Sequence, residues 1–346
     1  MILFLATYPT ESSEKDGMVQ RIASIDAQFA DRERAYLTIY NRKKTKKIIE
    51  RRGLLTLYSL SLVRDFFLIL RLFFSASNIY IHSLYNVPTY VFFFLYLVKR
   101  PIILDVHGVV PEENEFMGYH HYFEHFKKIE ERLFKMSNLK IVTITDAMTK
   151  YYKEKYPNAK FSSLKYSIFP AHLQESPPQP KPIEDETINF VYAGNLQKWQ
   201  NAEMMLESIA KLARNSNYHF YILTGELEEM VSLVREKIGE INNVEVLSVS
   251  PTELKNYYEK CHYGFVLRDD IIVNRVACPT KLIEYMFYGI TPIVLSENMG
   301  DFNSLGYEFV RVNELNNLKA RKSTINIEII KKMQVENRSV NFRSLL

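Results

Sequence analysis

The stretch RDDIIVNRVACPTKLIEYMFYGITPIV, Arg268 to Val294, sets two cations, Arg268 and Lys281, on either side of Pro279 and a carboxylate, Glu284, three residues beyond Lys281. Proline is favoured where a helix starts, because the N–H it lacks would be unpaired there anyway. The spacing predicts a helix beginning at Pro279, with Thr280, Lys281 and Glu284 on its first turns. Unpaired backbone N–H groups point out of such a start and the helix dipole adds partial positive charge, so it favours anions. With Arg268 and Lys281 in reach, a phosphate or diphosphate fits best. Glu284 can offer both carboxylate oxygens to a vicinal diol such as a ribose. Phosphate, diol and helix start together point to a nucleotide. Taken singly, the same residues read as a helix-start proline, a surface lysine and a solvated glutamate. The joint pattern outweighs that, since Gly289 ends the helix and TPIVL at 291–295 reads as a buried parallel strand. A polar cluster leading a helix between two strands lies at the carboxyl edge of a sheet, where open α/β folds hold ligands.

Such an edge needs alternating strands and helices, and the chain supplies two sets. In the first half, strand-like runs at 2–8, 35–40, 79–82, 101–106, 140–145 and 163–168 alternate with helical patterns at 18–29, 62–74, 87–98, 119–136 and 147–155, the last with Asp146 as N-cap. In the second half, strands at 188–192, 220–223, 244–247, 263–267 and 291–295 alternate with helices at 201–213, 226–238, 251–260 and 279–288. This alternation implies parallel sheets covered on both faces. Five prolines lie between Pro170 and Thr187 in a run almost free of large apolar residues, which reads as a linker. The expected organisation is a first domain at 1–170, a linker at 171–187 and a second domain at 188–346, with the last helix packing back on the first. A length of 346 residues also favours two cores over one.

Composition narrows the function classes. Hydrophobic residues make up 47% and charged residues 24%, an ordinary globular balance. A net charge of +4 with no nucleic-acid motif gives no footprint for DNA or RNA. Two cysteines, Cys261 and Cys278, form no disulfide framework and no zinc spacing, which fits a reducing cytoplasm. The apolar runs at 62–74 and 87–98 fall short of the roughly 20 residues that span a bilayer. The opening MILFLATYPTESSEKD reads as a first strand, not a signal peptide. Arg42, Lys43, Lys44, Lys46, Lys47, Arg51 and Arg52 crowd into eleven residues, a run that ordinarily marks a solvated helix.

The motif P-T-K-L-I-E-Y-M-x-x-G-I-x-P-I-V at Pro279–Val294 resembles the donor-nucleotide motif of bacterial GT-B glycosyltransferases of the capsule and exopolysaccharide type. The resemblance implies an α/β fold of two Rossmann-like domains whose parallel sheets face each other across a cleft. It implies that Glu284 grips the ribose as the second glutamate of an E-x7-E pattern, whose first position is Val276 here. In FVYAGNLQKWQN, Gly194 and Asn195 form the turn after a strand and Lys198 matches a phosphate-binding lysine. In VEVLSVSPTELKNYYEKC, the loop at Ser248 and Val249 matches the one that holds the base through backbone groups. DVHGVVPEE resembles the family's H-G segment, where His107 contacts the donor sugar near the reacting carbon. TITDAMTKYY resembles its V-S-x-x-M-x-x-Y stretch, and Gly17 opens a donor-facing loop by the same resemblance.

The function expected from these residues is sugar transfer. The second domain binds a nucleotide diphosphate sugar, UDP- or GDP-linked, and the first binds a saccharide acceptor. Lys198, Arg268, Lys281 and the helix start at Pro279 would meet the charge of the departing diphosphate without a metal or other cofactor, as a preorganised site can. No D-x-D metal motif stands in a fitting context. His107 is assigned to sugar positioning; Asp105, Glu112 and Glu113 are general-base candidates by position, with Asp105 foremost. The basic run at 42–52 and the aromatic segments at 66–74 and 90–96 suggest a lipid-linked acceptor and peripheral contact with the inner face of the plasma membrane. A nucleotide-sugar epimerase and a non-catalytic nucleotide-sugar-binding scaffold are the alternatives, the latter motivated by Val276.

Overall fold

The computed structural model describes residues 1–9, 17–41, 47–167, 169–170, 173, 176–179, 187–250 and 252–346. The chain divides into two compact units, Met1–Tyr166 with Val340–Leu346, and Ser167–Ser339. Most of the proline-rich run, and Arg42, Lys43, Lys44 and Lys46 of the basic run, lie outside the described residues.

The first unit is built on strands β1 (Ile2–Leu5), β2 (Arg34–Tyr40), β3 (Ile48–Arg52), β4 (Leu55–Ser61), β5 (Asn78–His82), β6 (Ile102–Val106), β7 (Leu139–Thr143) and β8 (Ser162–Lys165). Among the described residues their order is β3-β4-β2-β1-β5-β6-β7-β8, parallel throughout except for β3 against β4. Strand order reverses between β1 and β5, so the carboxyl ends of these two form the unit's switch point, where open sheets bind ligands. The central strands β1, β5 and β6 are buried at every position, as a parallel sheet covered on both faces requires. Phe4 on β1 shows the packing: its ring stacks on Tyr36 at 4.7 Å and meets Tyr80 at 5.1 Å.

The helices are α1 (Gly17–Ala27), α2 (Phe66–Ser75), α3 (Val91–Leu97), α4 (Val110–Phe116), α5 (His120–Phe134) and α6 (Asp146–Lys155). Three expectations change here. The described part of the basic run is the edge strand β3, joined to β4 by a tight turn at Gly53, whose φ of +60° suits glycine. Charges on a fully exposed edge strand, here Glu50, Arg51 and Arg52 in succession, mimic a solvated helix in sequence, and they also blunt the edge against pairing with other chains. The pattern at 119–136 is α5 alone, preceded by α4, with Gly118 at φ +79° between them. Thr145, not Asp146, caps α6: its side chain accepts from the Met148 N–H at 3.0 Å, and Asp146 is the first helical residue.

The second unit contains β9 (Ile188–Ala193), β10 (Tyr218–Leu223), β11 (Val244–Leu247), β12 (Tyr263–Val266), β13 (Thr291–Val294) and β14 (Val310–Arg311), in the order β11-β10-β9-β12-β13-β14 and all parallel. Helices α7 (Ala202–Leu212), α8 (Leu227–Lys237), α9 (Leu254–Tyr258), α10 (Ile272–Arg275), α11 (Thr280–Phe287) and α12 (Thr324–Ser339) complete it. Here the order reverses between β9 and β12. Helix α12 belongs to this unit, tied by Asn337, whose side chain accepts from Ser167 N–H at 2.9 Å and donates to Ser167 O at 2.8 Å. The segment after it, Val340–Leu346, belongs to the first unit, where Phe342 meets Phe29 at 5.9 Å and Tyr166 at 4.8 Å.

Candidate functional site

The residues singled out in the second half gather at the carboxyl ends of β9 and β12. Tyr285 of α11 fixes the assembly. Its fully buried ring lies against Gly264 of β12 so closely that a Cβ there would stand 2.4 Å from Cε2. Its hydroxyl accepts from the Ala193 N–H at 2.9 Å, at the end of β9. One tyrosine thus holds the start of α11 to both switch-point strands. Pro279 is the N-cap, in extended backbone with φ −64° and ψ 120°, so the helix starts at Thr280. Proline's fixed φ suits either position, and the residue before the helix is the one taken here.

Lys281 is buried, and its ammonium reaches back across the turn after β9. Nζ lies 4.0 Å from the centroid of the Tyr192 ring and donates to Gln200 Oε1 at 3.0 Å. A Cβ on Gly194 would stand 2.6 Å from that Nζ, so only glycine leaves room for the lysine. Arg268, directly after β12, donates through Nη1 to Asn274 Oδ1 at 3.4 Å, while its buried Nε has no hydrogen-bond partner. Burial pulls Arg268 down to about 10. Burial also pushes Lys281 well below its usual range, and the Arg268 charge adds to that fall against a weaker pull from Glu284. Among the described residues no carboxylate forms an ion pair with either cation. A buried and a part-buried cation that repel each other, beside helix-start N–H groups, form a site built for an anion.

Glu284 faces the same region from the next turn. Tyr258 of α9 donates to its Oε2 at 2.9 Å. Burial raises Glu284 to about 7, against the Tyr258 hydrogen bond and the Lys281 charge, which lower it. Asn195 is fixed beside Gly194 by its carbonyl, which accepts from Tyr192 OH at 2.5 Å. Lys198 is exposed on the single turn Lys198–Gln200, the turn that supplies Gln200 to Lys281. Thr280 is the partly buried first residue of α11. Ser248 and Val249 follow β11, which lies two strands from β9 in the sheet. Val276 is buried at 3% exposure, so an apolar side chain fills the position of the first glutamate.

In the first unit, Asp105 at the end of β6 is fully buried. Arg21 of α1 donates to it through Nε at 2.9 Å and Nη2 at 2.6 Å, and His82 Nδ1 lies 3.1 Å from its other oxygen. Burial alone would raise Asp105, but the Arg21 charge overrides it and holds the carboxyl well below the usual range. A carboxylate so gripped is a poor proton acceptor. The geometry therefore gives Asp105 a positioning part instead of the catalytic one expected from its place in the chain. His107 follows on the same loop, and its charge also lowers Asp105. Glu113 packs on the neighbouring Gly108, where a Cβ would stand 2.2 Å from its Oε1. Burial and the nearby Glu112 raise Glu113 to about 7. Glu112 instead accepts from Lys155 and from Tyr151 OH, each at 2.6 Å. Beside this loop, Ser83 holds φ 64° and ψ 155°, a strained backbone for a residue with a side chain. The carboxyl ends of β1 and β2 border a cavity of about 120 Å³ lined in part by Ala6, Thr38, Tyr85 and Val91. Gly17 is the first residue of α1, and the loop before it lies outside the described residues.

Sequence reasoning passed over Arg21, His82, Tyr192, Gln200, Tyr258 and Tyr285. Tyrosines in an aromatic-rich chain carry no local signal of function, and Arg21 meets Asp105 across 84 positions. Among the described residues no cluster of three His, Cys, Asp or Glu side chains is arranged to hold a metal ion.

Neither a protein-family model nor a curated protein sequence matches the chain. Solved structures do. Sucrose-phosphate synthase from Thermosynechococcus elongatus superposes with a TM-score of 0.64 at 12% identity, over 99% of this chain and 95% of that one. The UDP-forming alpha,alpha-trehalose-phosphate synthase from Burkholderia vietnamiensis gives 0.61 at 12% identity, over 97% and 95%. Anabaena HepE in complex with UDP and glucose gives 0.60 at 11%, over 99% and 96%. The fold is that of the GT-B glycosyltransferases, two domains each built on a parallel sheet.

Proposed function

We propose that this chain is a glycosyltransferase that moves a hexose from a nucleoside diphosphate sugar to a lipid-linked saccharide acceptor in surface polysaccharide assembly. The observation that carries the reading is the pair of cations, part-buried Arg268 and buried Lys281, that form no ion pair with a carboxylate among the described residues, at the switch point of the second sheet. A diphosphate supplies the missing charge. The fold likeness to proteins of sugar transfer, one of them holding UDP and glucose, supports the same ligand class.

Cleavage of the anomeric bond leaves negative charge on the diphosphate and positive character on the sugar. Arg268, Lys281, exposed Lys198 and the N–H groups at the start of α11 stand ready for the first, with no metal in the scheme, and a preorganised cationic site needs no rearrangement as that charge develops. Glu284 holds the ribose diol, the loop at Ser248 and Val249 the base, and His107 the sugar. Transfer proceeds with retention, the outcome implied by the sequence resemblance. The acceptor takes the first unit, near the cavity at β1 and β2. No helix among the described residues is long and apolar enough to cross a membrane, so a lipid-linked acceptor is met by peripheral contact.

The test is a thermal-shift screen against UDP, GDP, ADP and CDP, followed by turnover with a panel of donor sugars. The expected result is stabilisation by one or two of these diphosphates and slow donor hydrolysis without acceptor. Conversion of the sugar without acceptor would make the protein an epimerase, and binding without any turnover would make it a scaffold. No stabilisation by any diphosphate overturns the reading.

A further inference from the structure

We infer that the outer face of α2 and α3 is the surface by which this protein seats itself on an anionic lipid layer. The inference deepens the membrane contact proposed above and names its site. Helix α2 turns Phe67, Arg71 and Phe74 outward at i, i+4 and i+7, one stripe of a helix. Helix α3 turns Phe93, Tyr96 and Leu97 outward in the same way. The two helices are held together by buried Phe94, on which Phe73 stacks at 4.9 Å and which Phe66 meets at 5.6 Å. Phe67, at 82% exposed, protrudes more than any other large apolar side chain among the described residues, and a cluster of exposed apolar side chains of this kind marks an interaction surface.

Charge selects the partner. From Arg51 to Leu104 the chain carries six basic residues, Arg51, Arg52, Arg64, Arg71, Lys99 and Arg100, and a single acidic one, Asp65. Asp65 is buried and spent: it accepts from the Ser61 N–H at 2.9 Å and from Arg64 Nη2 at 2.8 Å. Arg64 and Arg52 are matched by Asp65 and Glu50, while Arg71 stands exposed on the aromatic stripe itself and exposed Lys99 and Arg100 follow α3 closely. A ring that protrudes as Phe67 does fits insertion into a fluid apolar layer, and a rim of arginine and lysine fits the anionic headgroups above it. The sequence put the contact on the basic run at 42–52 together with the aromatic segments at 66–74 and 90–96; the exposed faces of α2 and α3 narrow the aromatic part to named residues.

Flotation of the full chain with vesicles tests this. It should rise with equimolar phosphatidylglycerol and phosphatidylcholine at low salt, and stay down with phosphatidylcholine alone. Phe67→Ser with Phe74→Ser should lower the floated fraction by about tenfold or more, as expected for two lost aromatic insertions, with melting temperature and UDP affinity unchanged. Arg71→Glu should make the remaining binding more sensitive to salt. The inference fails if the unmodified protein never floats, or if the double serine variant floats like the parent. It also fails if Lys43, Lys44, Lys46 and Lys47 replaced by glutamate abolish flotation while the serine variant does not. A dimer that becomes monomeric in the serine variant would assign the face to a second copy and overturn the lipid assignment. Flotation without binding of any nucleoside diphosphate would sink the proposed transferase and leave this surface standing.

Discussion

The Tyr258 hydroxyl donates to Glu284 Oε2 at 2.9 Å, a bond between two helices that sets where the carboxyl titrates. Burial raises Glu284 to about 7, and this hydrogen bond lowers it from where burial alone would leave it. Ribose hydroxyls need an ionised acceptor, so UDP affinity should weaken as pH falls through about 7. In Tyr258→Phe the lowering contribution is gone, and the weakening should begin at a higher pH. Calorimetric titrations on both sides of neutrality check it; an identical pH profile in the variant would dissociate Tyr258 from binding.

Glu284→Gln should weaken the nucleotide by about 1.5–3 kcal/mol, the range of a hydrogen bond to a charged group, and flatten its pH dependence. Stability should move the other way. A carboxyl whose folded value is raised to about 7 from 4.5 favours the folded state at low pH and loses that contribution as pH rises through 7. The permanently neutral glutamine should thus melt higher than the parent above pH 7, and no higher below 4.5. A lower melting temperature at alkaline pH would count against the desolvated carboxyl.

Gly194→Ala should separate site from fold. The new Cβ would stand 2.6 Å from Lys281 Nζ, the far end of a flexible chain that can swing aside. Melting temperature should change little while diphosphate affinity falls at least tenfold, about 1.4 kcal/mol. Gly225→Ala, with nothing within 4 Å of its Cβ position, is the control and should leave affinity unchanged. Equal effects in the two variants would disconnect Gly194 from the lysine.

Gly264→Ala should act on the fold. The Cβ would meet the Tyr285 ring at 2.4 Å inside the core, and overpacking there costs about 1–3 kcal/mol. Tyr285→Phe leaves the Ala193 N–H without its acceptor, at a similar cost of about 1–3 kcal/mol. Chemical denaturation measures both, and a neutral Gly264→Ala would mean that α11 shifts freely on β12.

Asp105→Asn leaves the buried Arg21 charge without its counter-ion and should destabilise the protein by about 3–5 kcal/mol. The parent contribution has a clear sign. Asp105 is held below its ordinary value of 3.8, so it stabilises above that pH and the effect is lost as pH falls through it. The gap between parent and variant should therefore close in acid. A variant that melts like the parent but loses turnover would return Asp105 to catalysis.

The α/β class, with strands and helices in alternation, was legible from hydrophobic periodicity, and both sheets follow it. Strands β3, β4 and β14 were missed, β3 because charges on an edge strand look like charges on a solvated helix. Arg268, Lys281 and Gly194 were each picked out in sequence, and folding packs Lys281 against Gly194. Ser248 and Val249 were picked out too, and they follow β11, two strands from β9.

What the amino-acid sequence determined by itself was local: which segments are strands, where α11 starts and stops, and which residue types lead it. Periodicity and helix-start chemistry act over a few residues, so one chain suffices to read them. What tertiary structure alone decided was the state of each charge. Arg21 reaches Asp105 across 84 positions, Gln200 receives Lys281 across 81, and Tyr258 meets Glu284 across 26. Burial and partner together set whether a carboxyl positions, binds or titrates, and both exist only once distant segments have packed.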